Sequence, residues 1–186
     1  MGTGNRRRQE AAMGTGTVAA YVSLGSNLGH RSAHLTAAVT ALRALPDVEI
    51  DAASRVYETD PVGPPPQERY LNAALRVRTS LPPRRLLRAL LEIERARGRR
   101  RAGRDGPRTL DLDLLLYGDR VIDEPGLRVP HPLLHERAFV LEPLCEIAGS
   151  VLHPVLGERV EDLARKMRDP QAVRLWTEEE IWPSSP

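Results

Sequence analysis

The sequence predicts an α+β fold in which helices cover a mainly antiparallel sheet. Amphipathic segments with helical spacing alternate with shorter β-rich segments, in the order strand, helix, strand, strand, helix, strand. No segment recurs at a fixed period, which excludes solenoids and propellers. The length of 186 residues suits one domain, and the single cysteine, Cys145, fits a reducing compartment. We therefore expect one domain without an intramolecular disulfide or a Cys-rich metal site.

The first half of the domain is predicted as one strand, one helix and two further strands. Residues 17–25 form the first strand, and the helix that follows ends at Pro46. Its apolar side chains recur every three or four residues, at Leu35, Ala38, Val39, Leu42 and Leu45. Residues 48–59 are rich in β-forming side chains, and residues 70–79 alternate like a half-buried strand. We expect these last two segments to be neighbours in the sheet.

The second half adds a helix, a strand and a third helix. Prolines open the second helix, which ends at Gly98 and has an apolar face formed by Leu86, Leu87, Leu90 and Ile93. An arginine-rich loop, the strand "LDLDLLLYG" and a short "RVI" segment follow, and residues 135–149 are predicted as the third helix. This order matches the split pattern of the ferredoxin-like fold, here with helices on both faces as a three-layer sandwich.

The two ends of the chain differ in composition from the segment between them. Residues 1–17 are rich in Gly, Thr and Arg without apolar periodicity, so we expect a disordered extension before a domain at residues 18–168. Residues 169–186 are polar and end in prolines, which predicts a loose C-terminal tail. No segment has the length of a membrane helix or of a secretion signal, so we expect a soluble, cytoplasmic protein.

The basic residues are almost all arginines, with Lys166 as the single lysine. The formal net charge is only +2, and the isoelectric point is about 9.0. Arginine is especially dense from Glu94 to Arg108, which points to a polyanionic partner, either nucleic acid or the phosphates of a nucleotide. A bias toward GC-rich codons explains the general preference for arginine equally well.

Two carboxylates interrupt the apolar strand that follows this loop. Because side chains alternate across a strand, Asp111 and Asp113 share one face while the flanking leucines point to the core. Two adjacent carboxylates repel each other unless they share a proton, are clamped by an arginine such as Arg104 or Arg108, or bind divalent cations. Magnesium prefers such oxygen ligands and bridges them to phosphates. With the glycine- and arginine-rich loop of residues 98–106, this pattern indicates phosphoryl-type transfer.

The segment "RDGPRTLDLDLL", residues 104–115, closely resembles the signature of the 6-hydroxymethyl-7,8-dihydropterin pyrophosphokinase family of folate biosynthesis. Three other segments resemble further blocks of that family in the same order: "YVSLGSNLGHR", "YETDPVGP" followed by "YLNAAL", and "VPHPLLHERAFVLEPLCEIA". The resemblance covers residues 18–167. One departure is Asp105, which stands where many relatives have a tryptophan, and it affects the packing of the loop rather than the reaction.

The resemblance implies that the chain transfers diphosphate from ATP to the hydroxymethyl group of the pterin and releases AMP. It implies two Mg²⁺ ions, held by Asp111 and Asp113. ATP and the pterin would be the only partners, with no nucleic acid and no membrane, and the protein would be a monomer. In this family an arginine pair, here Arg99 and Arg108, assists the two aspartates in catalysis.

The resemblance also assigns both substrate sites. The ATP site is formed by Arg99, Arg101, Arg108, His131 and Arg137, and the pterin site by Thr59, Asp60, Val62, Tyr70, Asn72 and Phe139. In the family the flat pterin lies between a tyrosine and a phenylalanine, which correspond to Tyr70 and Phe139. From the residues alone, a single phenylalanine in an apolar helix is more often part of the core, and His131 is also compatible with a capping role at a strand end.

Three alternative interpretations of the sequence have weaker support. An RNA-binding module would carry aromatic residues on its central strands, and its phosphate ligand would be repelled by Asp111 and Asp113. A palm-type nucleotidyl transferase or cyclase shares the topology and the paired aspartates but releases pyrophosphate. A zinc site at His131 and His135 has helical spacing, but Pro132 interrupts the helix and no third ligand lies nearby in the sequence.

Overall fold

The computed structural model describes residues 16–61, 67–98, 106–167, 173–177 and 182. The elements in these residues are β1 (Val18–Ser26), α1 (Arg31–Arg43), β2 (Val48–Ala53), β3 (Tyr57–Thr59), β4 (Tyr70–Thr79), α2 (Pro83–Ala96), β5 (Asp111–Tyr117), β6 (Ile122–Glu124), β7 (Leu127–Val129), α3 (Ala138–Ala148), α4 (Val160–Lys166) and β8 (Val173–Leu175). A short 3₁₀ turn at Leu134–Glu136 precedes α3. No helix in the described ranges has the length and apolar character needed to cross a bilayer.

One six-stranded sheet organises the fold. Its order is β5, β1, β4, β3, β8, and β2 also pairs with β4. The pairings in this sheet are all antiparallel, and β6 and β7 form a separate antiparallel hairpin. The α+β class with a mainly antiparallel sheet is therefore confirmed.

The sheet carries a hydrophobic core on each face. The first core joins the sheet to α1 and α2, through side chains that include Val22, Leu24, Leu35, Leu42, Leu86 and Leu90. The second core joins it to α3 and α4, through side chains that include Tyr21, Leu116, Leu141, Leu144 and Leu163. Strand β1 serves both cores because its successive side chains point to opposite faces. The predicted apolar faces of the first two helices are the faces that pack on the sheet.

Two element boundaries differ from the prediction. The segment 48–59 is split into β2 and β3 at Ser54, whose N–H donates to Ala74 O while its hydroxyl accepts from Ala74 N. The Ser54 hydroxyl thus takes the place of a backbone carbonyl as the acceptor for Ala74 N–H, which interrupts the regular ladder. The third helix begins at Ala138 rather than at residue 135, because Arg137 has extended backbone angles.

The C-terminal segment contains a strand that the sequence did not predict. Val173–Leu175 pair with β3, so the outward-facing backbone groups of β3 have hydrogen-bond partners. The backbone N–H of Trp176 continues this contact by donating to Val56 O at 2.8 Å. The expectation of a loose tail is therefore wrong for Val173–Trp176, whereas the predicted N-terminal extension lies outside the described residues up to residue 15.

Candidate active site

Asp111 and Asp113 lie on β5, at the end of the sheet, and project from the same face as predicted. They pair with Gly25 and Ser23 of β1, and Leu112 between them is buried against the first core. The side chains of Asp111 and Asp113 retain 18% and 36% of their exposure, respectively. The two carboxylates are thus neither solvated on an open surface nor sealed in the core, and they are accessible to a ligand.

Arg108 stands beside this pair and forms an ion pair with Asp111. Burial of the guanidinium opposes its charged form, but the nearby carboxylate of Asp111 outweighs this and raises the pKa of Arg108. The sequence suggested that an arginine or a divalent cation offsets the repulsion between the two carboxylates. The structure shows an arginine paired with one of them, Asp111. Arg104, the alternative clamp, lies outside the described residues.

Asp113 faces a different set of charges. Burial raises the pKa of its carboxyl, and the negative charge of Asp111 raises that pKa further. Electrostatic interactions with His131, Arg137 and Arg108 partly oppose the rise in this pKa. The structure therefore places five of the predicted residues within electrostatic reach of one another, and a divalent cation would relieve the repulsion that raises this pKa.

His131 approaches Asp113 from the loop after β7. Its Nε2 lies 3.9 Å from Asp113 Oδ2, too far for a direct hydrogen bond. Its Nδ1 accepts from the backbone N–H of Leu133 at 3.2 Å, so a neutral ring carries its proton on Nε2, facing the carboxylate. Burial lowers the pKa of His131 despite the opposing effect of Asp113, so the neutral, donating form is favoured.

A cavity of about 660 Å³ opens beside Asp113 and His131. Its walls come from α2, β5 and the β6–β7 hairpin, through Leu87, Asp113, Leu114, Asp123, Glu124, Pro125, Gly126, Leu127, Arg128, His131 and Pro132. The volume suits a small organic ligand. Most of these hairpin residues were not singled out from the sequence, because the cavity forms only when the hairpin packs beside β5.

Gly25 lies where Asp111 and two predicted pterin residues, Asn72 and Tyr70, come together. A Cβ atom at this position would lie 3.3 Å from Asn72 Oδ1, 3.8 Å from Asp111 Cβ and 3.9 Å from Tyr70 Cδ1. These three side chains therefore converge over the bare Cα of Gly25, and any larger residue would press into their shared space. Gly25 was not identified as a site residue from the sequence, because its role follows from the pairing of β1 with β4 and β5.

Asn72 and Thr59 form a buried polar pair on β4 and β3. Asn72 Nδ2 donates to Thr59 Oγ1 at 2.7 Å, and the two residues are 5% and 2% exposed. This bond leaves Asn72 Oδ1 directed toward Gly25, as an acceptor at the site. The neighbouring Asp60 is more exposed and accepts a hydrogen bond from Arg69 Nε at 2.9 Å.

Asn27, just after β1, connects two segments of the site and was not identified from the sequence. Its backbone N–H donates to Arg108 O at 3.0 Å, and its side-chain Oδ1 accepts from Arg108 N at 2.7 Å. Asn27 Nδ2 donates to Glu68 O at 3.2 Å. Preceding it, Ser26 donates its hydroxyl proton to Thr109 O at 2.6 Å. These bonds hold the backbone of Arg108 and Thr109, which leads into the strand that carries the two aspartates.

Phe139 and Arg137 adjoin the second core. The Arg137 guanidinium carbon lies 5.5 Å from the centre of the Phe139 ring, within the range of a cation–π contact. Phe139 is only partly buried and packs at the margin of the core, so its ring is neither a central core residue nor fully exposed. The predictions for Arg99, Arg101, Val62 and Asp105 fall outside the described residues.

The side chains near Asp111 fit a hard divalent cation. Two carboxylates from one strand supply oxygen ligands, and Mg²⁺ commonly completes its shell with water and substrate phosphate. Within the described ranges, no group of three or more His, Cys, Asp and Glu side chains could enclose a metal ion. The hypothesis of a zinc site therefore has no support in the described part of the structure. The two carboxylates of Asp111 and Asp113 suit a metal ion that also binds substrate phosphate.

The chain is similar to known proteins in both sequence and fold. The family model described as 7,8-dihydro-6-hydroxymethylpterin-pyrophosphokinase (HPPK) matches residues 21–149. The 2-amino-4-hydroxy-6-hydroxymethyldihydropteridine pyrophosphokinase of Bacillus subtilis is 42% identical over 157 residues, which cover 84% of this chain and 89% of that protein. The enzyme of the same name from Pseudomonas aeruginosa is 46% identical over 134 residues, covering 72% of this chain and 83% of that protein.

Solved structures extend the similarity to the fold. A crystal structure of wild-type Plasmodium falciparum HPPK-DHPS with SDX-DHP superposes with a TM-score of 0.65 at 15% sequence identity. The match covers 85% of this chain and 46% of that chain, so the present chain spans less than half of the solved protein. At this identity the superposition shows a shared fold.

Proposed function

Since the chain belongs to the 7,8-dihydro-6-hydroxymethylpterin-pyrophosphokinase family, we propose that it transfers diphosphate from ATP to 6-hydroxymethyl-7,8-dihydropterin in folate biosynthesis. The hydroxymethyl oxygen forms a bond to the β-phosphorus of ATP. The bond between that phosphorus and the α,β-bridging oxygen breaks, AMP leaves with this oxygen, and the hydroxyl proton passes to solvent. The convergence of Asp111, Asn72 and Tyr70 over Gly25 is the observation that carries the proposal.

Asp111 and Asp113 are the proposed ligands for two Mg²⁺ ions. Magnesium, when bound, would supply positive charge to the phosphates and help to place the attacking hydroxyl. Burial, and after it the negative charge of Asp111, raise the pKa of the Asp113 carboxyl, and a bound cation would offset both effects, which supports this assignment. In this proposal Arg108 releases Asp111 and turns to the phosphates of ATP, joined by Arg99 from the arginine-rich loop.

The cavity beside Asp113 is the proposed site of the ATP nucleoside. It adjoins the aspartates on one side and is walled by Leu87, Leu114 and the β6–β7 hairpin on the other. His131, with its Nε2 proton directed to this space, and Arg137 are the proposed phosphate donors. Arg101 completes this set in the proposal.

The pterin is proposed to bind on the other side of Asp111, over Gly25. Tyr70 and Phe139 would contact its two faces, and Asn72 would accept from its edge through Oδ1. Thr59 supports that role because its bond to Asn72 Nδ2 fixes the orientation of the amide. Backbone groups near Asp60 and Val62 complete the proposed contacts.

We also propose the detailed fold type, the oligomeric state and the localisation of the protein. The order β5, β1, β4, β2 with α1 and α2 on one face supports a ferredoxin-like assignment. The helices α3 and α4 form the third layer on the opposite face. We also propose a cytoplasmic monomer that does not bind nucleic acid, as the paired aspartates would repel a phosphate backbone.

Product analysis tests the reaction. The protein is mixed with Mg²⁺, ATP and 6-hydroxymethyl-7,8-dihydropterin, and AMP, ADP and pyrophosphate are separated by chromatography. Pterin-dependent AMP without free pyrophosphate supports diphosphate transfer. ADP would indicate a simple kinase, and pyrophosphate would favour the palm-type nucleotidyl transferase.

Substitution of the aspartates tests the site. Asp111→Asn and Asp113→Asn should each lower kcat by at least about 100-fold while the protein stays folded, because each removes a charged metal ligand. Asp119→Asn is the matched control, since Asp119 is exposed two residues beyond the strand. Activity close to that of the parent protein in either aspartate variant would contradict the metal assignment.

A further inference from the structure

Glu94 is a buried carboxylate on the core-facing side of α2. Only 1% of its surface is exposed, and it follows Leu86 and Leu90 at the spacing of one helix face. An apolar residue would be expected at such a position. A carboxylate there must be stabilised by specific hydrogen bonds, because its burial is otherwise costly.

The hydrogen-bond partner of Glu94 lies between the two aspartates. Its Oε1 accepts from the backbone N–H of Leu112 at 2.7 Å, in a buried environment. Strand β5 pairs only with β1 in the described sheet, so its outer side needs another partner for its backbone groups. The Leu112 N–H points to this outer side, and Glu94 is the group that meets it.

This contact bears directly on the geometry of the aspartates. Asp111 and Asp113 flank Leu112, so the peptide units that orient both side chains are joined to it. The pairing of β5 with β1 holds the strand from one side, and the carboxylate of Glu94 holds it from the other. The backbone N–H of His131 also bonds β5, at Leu115 O, but it lies beyond the aspartates, so without Glu94 the segment from Asp111 to Asp113 would be held by β1 alone in the described sheet.

We propose that Glu94 is a positioning residue for the Asp111 and Asp113 pair, acting through its hydrogen bond to the Leu112 amide. It does not contact the substrates in this role. The proposal rests on the proposed function, and it adds that the geometry of the metal ligands depends on a side chain of α2. The bond needs an acceptor rather than a charge, so a glutamine should largely replace the glutamate.

Hydrogen exchange tests the contact without reference to activity. In the parent protein we expect the Leu112 amide to be protected even though it points away from β1. In Glu94→Leu, which removes the acceptor and fills the volume, its exchange should be at least about 100-fold faster. The Asp113 amide, which faces β1 in the ladder, should keep its protection and serves as the internal control. Rapid exchange at Leu112 in the parent protein would overturn the proposal, even where Glu94→Leu does not fold.

Metal binding tests the consequence. Mn²⁺ affinity is measured by electron paramagnetic resonance in the presence of a non-hydrolysable ATP analogue. We expect Glu94→Leu to lose about 10- to 100-fold in Mn²⁺ affinity, as for the loss of a hydrogen bond to a charged group. Glu94→Gln should stay within about threefold of the parent, since its amide oxygen can accept the same bond. The exposed neighbour Glu92, substituted as Glu92→Leu, provides the matched control.

The outcomes separate this proposal from the proposed function. Unchanged Mn²⁺ affinity in a folded Glu94→Leu variant would overturn the positioning role. An equal loss in Glu94→Gln and Glu94→Leu would also overturn it, because charge rather than the accepted bond would then matter. If the parent protein forms no pterin-dependent AMP while Mn²⁺ affinity still responds as expected, the proposed function fails and the positioning role stands.

Discussion

The guanidinium of Arg108 forms an ion pair with the carboxylate of Asp111, three residues further along the chain. Both side chains are half-buried, so the pair is less screened than one on an open surface. Under the proposed metal assignment, Arg108 and Mg²⁺ would be successive partners of the Asp111 carboxylate. A cation that binds Asp111 must compete with Arg108.

Loss of the Arg108 side chain should have opposite effects on metal binding and on turnover. In Arg108→Ala, the competition from the Arg108 guanidinium for Asp111 is removed, so half-saturation by Mg²⁺ should occur at a several-fold lower concentration. The same change should lower kcat by about 100- to 1,000-fold, because a donor to the transferred phosphates is lost. Steady-state kinetics over a range of Mg²⁺ concentrations measures both effects. The substitution Arg108→Lys keeps the charge and is the control for the first effect, and an unchanged Mg²⁺ midpoint in Arg108→Ala would contradict the competition.

Asp113 should destabilise the metal-free fold at neutral pH. Its folded-state pKa is raised above its unfolded value, so its favourable contribution is complete below the unfolded pKa and is lost as the pH rises through the folded pKa. Asp113→Asn should therefore raise the Tm of the metal-free protein by a few degrees at most at pH 7. The difference should vanish in acid, where the parent carboxyl is protonated. Thermal unfolding at several pH values with a chelator present measures this, and a Tm difference that grows toward acid pH would have the wrong sign.

The buried bond between Asn72 and Thr59 should control pterin binding selectively. Thr59→Val keeps the shape but leaves the Asn72 amide without its acceptor, at a cost of about 1–3 kcal/mol. We expect the KM for the pterin to rise by about tenfold or more, while the KM for ATP stays within about twofold. Thr59→Ser, which retains the hydroxyl, should behave like the parent. Equal changes in both KM values would indicate a general disturbance of the fold.

Trp176 should stabilise the sheet edge next to the proposed pterin site. Its ring packs against the first core, and the Arg31 guanidinium carbon lies 5.1 Å from the ring centre. Trp176→Ala should lower the free energy of unfolding by about 2 kcal/mol through lost packing and the lost cation–π contact. Denaturant unfolding measures the change. Leu175→Ala, at a side chain that is 42% exposed, is the control and should have an effect below about 0.5 kcal/mol.

Local patterns account for the parts of the fold and site that sequence reasoning predicted. The apolar faces of α1 and α2 and the alternation around Asp111 and Asp113 follow from periods of 3.6 and 2 residues, which can be counted along the chain. The family resemblance depended on contiguous motifs and was confirmed by the relatives. Strand β8 was not predicted because it has only three residues. It is held by its pairing with β3 and by the hydrogen bond that Trp176 N–H donates.

The sequence by itself determined the class of the fold, the shared face of the two aspartates and the family. Tertiary structure decided which distant groups meet them: Gly25 under Asn72 and Tyr70, Asn27 against Arg108, and Glu94 against the Leu112 amide. These contacts depend on strand register and on the docking of α2 beside β5. Residues far apart in the chain set both, so no local period encodes them.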